Sequence, residues 1–158
     1  MRTGKAFMNN TGTIKTRLEA FYRGKYGTQD AGQRRLLQAT KEMIHKAIRD
    51  GQEVCGTYGF FLAAVEETGS KISAKLFKPP EEYSHRKAPG AYIGDKGFPL
   101  NLHVGRLAGG KIYVHSLRER KGPKLVISSD EPDEIEDAVI TEVENLIKEG
   151  VNLLEPAS

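Results

Sequence analysis

His103 and His115 stand on either side of a glycine-rich stretch, GRLAGGK, at residues 105–111. Imidazole titrates near neutrality, so two of them face to face can divide the work of a general acid and a general base. One would take the proton of a ribose 2′-hydroxyl while the other protonates the leaving oxygen, the chemistry of a metal-independent ribonuclease or phosphodiesterase. Arg106, Arg118, Arg120, Lys121 and Lys124 lie close by in the chain and would neutralise the phosphate, and His85 and Arg86 would complete such a site. Without chemistry, the same side chains make a phosphate contact, or are hydrogen-bonded histidines on a polar sheet face. All three readings are open at the level of sequence. Two histidines with no carboxylate ligand near them do not make a metal site.

Whether the histidines meet depends on the glycines between them. GRLAGGK fits the opening of a phosphate-binding loop, Gly, any four residues, Gly, Lys. Such a loop needs Ser or Thr next, and a helix after it. Here Ile112 follows, and KIYVHSL alternates as a strand, so the backbone amides go into a ladder and no nucleotide cofactor is expected. The glycines predict a hairpin instead. A three-residue connection, Ala108-Gly109-Gly110, sets His103 opposite His115, Val104 opposite Val114 and Gly105 opposite Tyr113. Leu102, Val104, Ile112 and Val114 then share one face, and His103, His115 and Tyr113 the other. A two-residue turn would put His103 among the aliphatic residues, a poorer pattern.

Around the hairpin the charge is one-sided. Residues 85–124 carry nine cations, Arg86, Lys87, Lys96, Arg106, Lys111, Arg118, Arg120, Lys121 and Lys124, against Asp95 and Glu119 alone. Tyr92, Phe98 and Tyr113 are interspersed, which suits stacking of unpaired bases beside backbone contacts. The expected binding set is therefore His85, Arg86, Lys87, Tyr92, Lys96, Arg106, Tyr113, Arg118, Arg120 and Lys121, and the partner a single-stranded nucleic acid or another polyanion. RERKGPK also reads as a solvated turn. The whole chain repeats the imbalance: Lys148 is the one cation after residue 128, against ten acids, while residues 1–128 hold 23 cations and 11 acids. A basic body and an acidic end speak of partners and fields. A third class of function follows, a homo-oligomer or interaction domain in which the acidic helix of one copy meets a basic surface on another.

The elements that must position these residues can be read from periodicity. Residues 13–23 predict a short helix with Ile14, Leu18, Phe21 and Tyr22 on one side, broken by Gly24 and Gly27. A long helix should start at Asp30 as N-cap and stop at Gly51, with Leu36, Leu37, Met43, Ile44, Ala47 and Ile48 at helical spacing. Its other face carries Arg34, Arg35, Lys41 and Lys46. VCGTYGFFLAAVEE reads as a strand with a bulge or a close backbone approach at Gly56 and Gly59, paired through a turn at Glu67–Ser70 with KISAKLF. Residues 78–99 hold too many prolines and glycines for regular structure over most of their length. LNLHVGR, KIYVHSL and PKLVISS are three more strands. The last helix is capped by Ser129 or Asp130, has Pro132 in its first turn and an apolar stripe through Ile135, Ala138, Val139, Val143, Leu146 and Ile147, and should end at Gly150. The order predicts an α+β fold: an antiparallel sheet of about five strands, with an N-terminal helical segment and an acidic C-terminal amphipathic helix packed on one face.

At 158 residues a single domain is expected, with a loose segment at 1–12 and a tail at 151–158. Cys55 is the only cysteine, which excludes an intramolecular disulfide, and its apolar setting predicts a buried, inert thiol. No apolar run approaches the roughly 18 residues of a membrane span, and the N-terminus lacks the apolar core of a secretory signal. The cytoplasm is the expected location, with no membrane partner.

Overall fold

The structure is a computed structural model that describes residues 13–26, 30–63, 65–79, 97–118 and 121–155. Within them lie three α-helices, α1 (Ile14–Tyr26), α2 (Asp30–Thr57) and α3 (Pro132–Leu154). Six strands form one antiparallel sheet: β1 (Phe61–Leu62), β2 (Glu66–Thr68), β3 (Lys71–Phe77), β4 (Phe98–Arg106), β5 (Ile112–Arg118) and β6 (Gly122–Ser129). The fold is α+β. The strand order is β1-β3-β4-β5-β6, and β2 also pairs with β3, continuing the edge that β1 begins. No helix among the described residues is long and apolar enough to cross a membrane.

Strand alternation decides where the core sits. Ile72, Ala74 and Leu76 of β3, Leu100, Leu102 and Val104 of β4, and Ile112 and Val114 of β5 are buried on one face. Ile44 and Ile48 of α2 and Ile135, Val139, Val143 and Leu146 of α3 cover that face and are themselves buried. Each such aliphatic side chain contributes about 1.5–3 kcal/mol by leaving water. Both long helices thus lie on the same side of the sheet.

The predicted hairpin is present in the predicted register. Ala108–Gly110 forms a single 3-10 turn, with Gly109 and Gly110 at φ 83° and 85°, the left-handed region that glycine enters without strain. Leu107 N–H donates to Lys111 O at 2.9 Å, so three residues make the connection. His103 pairs with His115, Val104 with Val114 and Gly105 with Tyr113.

Three expected helix ends are not ends. α2 runs through Gly51 to Thr57 and takes in the first four residues, 54–57, of the segment expected as a strand. The reason is packing: Ile44, Ile48 and Cys55 continue one buried stripe, and a Cβ on Gly51 would lie 2.7 Å from Ile147 Cδ1 of α3. Gly51 lets the two helices approach. The true stop is Gly59, at φ 86°, with Phe60 N–H donating to Cys55 O at 2.9 Å and Gly59 N–H to Gly56 O at 3.3 Å, a Schellman ending. The expected bulge at Gly56 and Gly59 is therefore a helix terminus. The strand is reduced to β1 and β2, which pair with β3 in registers one residue apart. Likewise α3 passes through Gly150 to Leu154, because a Cβ there would stand 2.8 Å from the Phe98 ring. α1 likewise continues through Gly24, and its Ile14, Leu18, Phe21 and Tyr22 are exposed.

The start of α3 has its expected chemistry in a shifted form. Pro132 opens the helix and Asp133 and Glu134 crowd its first turn. Ser129 Oγ accepts from Glu131 N–H at 2.9 Å and donates to Glu134 Oε1 at 2.8 Å. Asp30 does not cap α2; its carboxylate is turned to Arg34 and Arg106.

Candidate functional site on the open sheet face

Because α2 and α3 share one side, the other side of β3, β4 and β5 has no described helix over it. Alternation fixes its residues: Lys71, Ser73 and Lys75 of β3, Asn101, His103 and Gly105 of β4, and Tyr113, His115 and Leu117 of β5. Lys71, His103, His115 and Leu125 form one row across four strands, each paired with the next. At its centre three rings make a cluster. Tyr113 lies 4.7 Å from His115 and 5.8 Å from His103, centroid to centroid. The Tyr113 ring leans across β4 over Gly105, where a Cβ would collide with it. That is why the residue opposite Tyr113 has no side chain.

Both ring nitrogens of His103 have partners. Nε2 is 2.6 Å from Ser70 Oγ, and Nδ1 is 3.4 Å from the Tyr113 hydroxyl. Ser70 sits in the two-residue turn Gly69–Ser70 that joins β2 to β3, with Gly69 at φ 64°. Its carbonyl accepts from Val104 N–H at 2.9 Å, which pins the turn to β4 beside His103. Lys71, Lys75 and Ser70 were not among the candidates from sequence. The lysines were legible: in KISAKLF the alternation that buries Ile72, Ala74 and Leu76 turns Lys71 and Lys75 the opposite way. Nothing in the sequence joins Ser70 to His103, thirty-three residues away.

The expected basic residues divide by strand parity. Arg106 points to the helix side, where it donates to the buried Asp30 carboxylate and, at 2.8 Å, to Gln33 Oε1. Gln33 Nε2 in turn donates to Leu107 O and Lys111 O, each at 2.7 Å, and ties the hairpin turn to α2. The hydrogen bond from the Arg106 guanidinium holds the Asp30 carboxyl below the usual carboxylate range.

Arg118 also faces the helices, 2.8 Å from Glu142 and 2.6 Å from Glu149 of α3. Lys124 reaches Glu142 at 3.4 Å. Burial acts to raise the Glu142 carboxyl, but the Ser116 hydroxyl, Arg118 and Lys124 outweigh it and the net direction is down. Lys121 is exposed in the turn between β5 and β6. His85, Arg86, Lys87, Tyr92, Lys96 and Arg120 lie outside the described residues.

On the outer face of α2 further side chains are engaged with β2. Lys41 and His45 hold Glu67 of β2 at 3.3 and 2.9 Å, and the hydrogen bond from His45 heads the causes that lower the Glu67 carboxyl. Cys55 is buried, and burial pushes its thiol up, away from the reactive thiolate. A groove of about 530 Å³ lies between α2, the hairpin turn and the start of α3, lined by Gln33, Arg35, Gly110 and Asp130 among others, and none of its lining is on the open face. Among the described residues no group of three or more His, Cys, Asp or Glu converges as a metal site would.

The geometry offers a platform of rings and lysines on one face of the sheet, with a serine hydroxyl 2.6 Å from an imidazole nitrogen. Comparison with family models, curated proteins and solved structures finds no match to this chain.

Proposed function

We propose that this protein binds single-stranded nucleic acid on the open face of its sheet. The observation that carries the reading is the cluster of Tyr113, His115 and His103, flanked by Lys71 and Lys75 and covered by no described helix. Rings on a flat sheet stack with unpaired bases of any sequence, and lysines beside them meet the phosphates. Four residues of extended strand separate Lys71 from Lys75 by about 13 Å, a span suited to backbone phosphates two nucleotides apart. Arg106 and Arg118, both expected in the interface from sequence, have carboxylate partners on the helix side and are left out of this reading.

The test is fluorescence anisotropy with short labelled single strands over a salt series. Changing Lys71 and Lys75 together to alanine should flatten the slope of log affinity against log salt by about 1.4, from about 0.7 per lost phosphate contact. Tyr113→Ala should weaken binding by about 1–3 kcal/mol. Lys148→Ala, on the far side in α3, should change neither. Absence of binding at low salt, or a slope indifferent to the two lysines, removes the proposal.

A second reading, metal-independent RNA cleavage by the histidine pair, is favoured by one observation: His103 and His115 are direct partners across β4 and β5 on this same face. It requires His103 to give up Ser70, and it fails if RNA is bound and never cut.

A further inference from the structure

We infer that Ser70, His103 and Tyr113 form a nucleophilic centre that transfers acyl groups from small carboxylic esters to the Ser70 hydroxyl. The inference is independent of nucleic-acid binding. Three features carry it. Ser70 Oγ and His103 Nε2 are 2.6 Å apart, the reach of a nucleophile from its general base. His103 Nδ1 faces the Tyr113 hydroxyl at 3.4 Å, so a third group orients the base. The turn is fixed beside the base by the hydrogen bond from Val104 N–H to Ser70 O, 2.9 Å, so the pair does not rely on chance rotamers alone. With Nε2 accepting from Ser70, the ring proton sits on Nδ1 and is donated to the tyrosine oxygen.

The step balances without a cofactor. Ser70 Oγ attacks the ester carbonyl as His103 Nε2 takes the hydroxyl proton. The carbon–alkoxy bond breaks, and His103 returns that proton to the leaving alkoxide, giving acyl-Ser70 and an alcohol. Water then attacks the acyl group, its proton passes through His103, and the carboxylic acid and free Ser70 are regenerated. Lys71, the register partner of His103 on the same face, supplies the positive charge for the oxyanion. The site is a sheet surface beside a turn, so it selects small, activated acyl groups rather than long chains. Gly105 and Tyr113 act by positioning: the missing side chain of Gly105 is what lets the tyrosine reach across to His103.

The experiment is labelling of the whole chain with a biotinylated fluorophosphonate, whose phosphorus is attacked as an ester carbonyl would be and whose fluoride leaves. Peptide mass spectrometry locates the adduct. It should fall on Ser70 and vanish in Ser70→Ala. His103→Ala should slow labelling on the order of 10²-fold or more, and added imidazole should restore part of it. Tyr113→Phe should lower the maximal labelling rate and leave the half-saturating probe concentration unchanged, which a purely structural tyrosine would not do. Urea midpoints of each variant guard against loss of fold. No adduct on Ser70 in the unmodified protein overturns the inference, as does labelling of His103→Ala at the unmodified rate. Ser70→Ala should still bind oligonucleotides, so failure of this chemistry and failure of the binding reading give separate results.

Discussion

Arg118 and Glu142 offer the sharpest test of how α3 is held. The Glu142 side chain is 4% exposed and that of Arg118 16%, so their 2.8 Å contact is an internal ion pair between α3 and β5. The two ends are not equivalent. Without Glu142, Arg118 keeps Glu149 at 2.6 Å and part of its hydration. Without Arg118, Glu142 stays buried beside the Ser116 hydroxyl, with Lys124, 3.4 Å away and more than half exposed, as its remaining cationic partner. Stranding a buried charge costs about 3–5 kcal/mol, and Lys124 argues for the lower end. Arg118→Met should therefore cost about 3 kcal/mol, which at an m-value of about 2 kcal/mol/M moves the urea midpoint by about 1.5 M. Glu142→Gln keeps the shape and removes the charge, and should cost about 1–2 kcal/mol. The double variant should be more stable than Arg118→Met alone, because the stranded charge is gone.

The pH dependence has a definite sign. The Glu142 carboxyl is held below its ordinary value of 4.5, so its contribution is complete above that value and is lost as pH falls through the folded-state value. Glu142→Gln should flatten the stability profile in that acid range. A cost for Arg118→Met no larger than that for Glu142→Gln, or a double variant no better than the single one, would refute the account.

The remaining predictions concern packing. Val143 is buried and its neighbour Glu144 is exposed, so Val143→Ala should lower the denaturant midpoint by the equivalent of about 2 kcal/mol, while Glu144→Ala stays within about 0.5 kcal/mol. Equal, small effects would mean that α3 is not docked. Gly150→Ala puts a methyl group within 3.0 Å of Phe98 and Leu76, and overpacking of about 1–3 kcal/mol should exceed the gain of about 1 kcal/mol in helix propensity. Gly56→Ala meets no atom within 4 Å and should be neutral or stabilising; a Gly150→Ala that stabilises as much would show that no close approach exists there.

Glycine is where sequence and structure part most instructively. Gly109 and Gly110 were legible as a turn because alternating strands flank them and leave one register that keeps Leu102, Val104, Ile112 and Val114 together. Gly51 and Gly150 were misread as helix ends. A glycine that stops a helix and one that admits a neighbour both lack a Cβ, and only the neighbour tells them apart: Ile147 for Gly51, Phe98 for Gly150. The site divides along a similar line. The pairing of His103 with His115, and Tyr113 beside them, followed from register alone. Arg106 and Arg118 were grouped with them by nearness in the chain, although strand parity sends both to the helix side. The same parity rule, applied to KISAKLF, would have found Lys71 and Lys75. Ser70 was beyond reach, because its meeting with His103 depends on how β3 pairs with β4.

The charge division seen along the chain becomes a division across the sheet. Acids of α3 lie on the helix side and neutralise the cations that β5 and β6 send there, Arg118 and Lys124. Asp30 of α2 does the same for Arg106. Lys71 and Lys75 project to the opposite side, with no described helix above them. The exposed acids of α3 stand about a helix diameter, roughly 10 Å, or more from the open face, and at physiological salt the Debye length is about 8 Å. A polyanion at the open face is thus largely screened from the acids of α3 while meeting the lysines directly. At about 0.01 M salt the Debye length grows to about 30 Å, and the repulsion from α3 reaches through the sheet. The net charge of +3 therefore says little about how the protein meets an anion. What decides it is which side of one antiparallel sheet each cation occupies, and that is set residue by residue by the pleat.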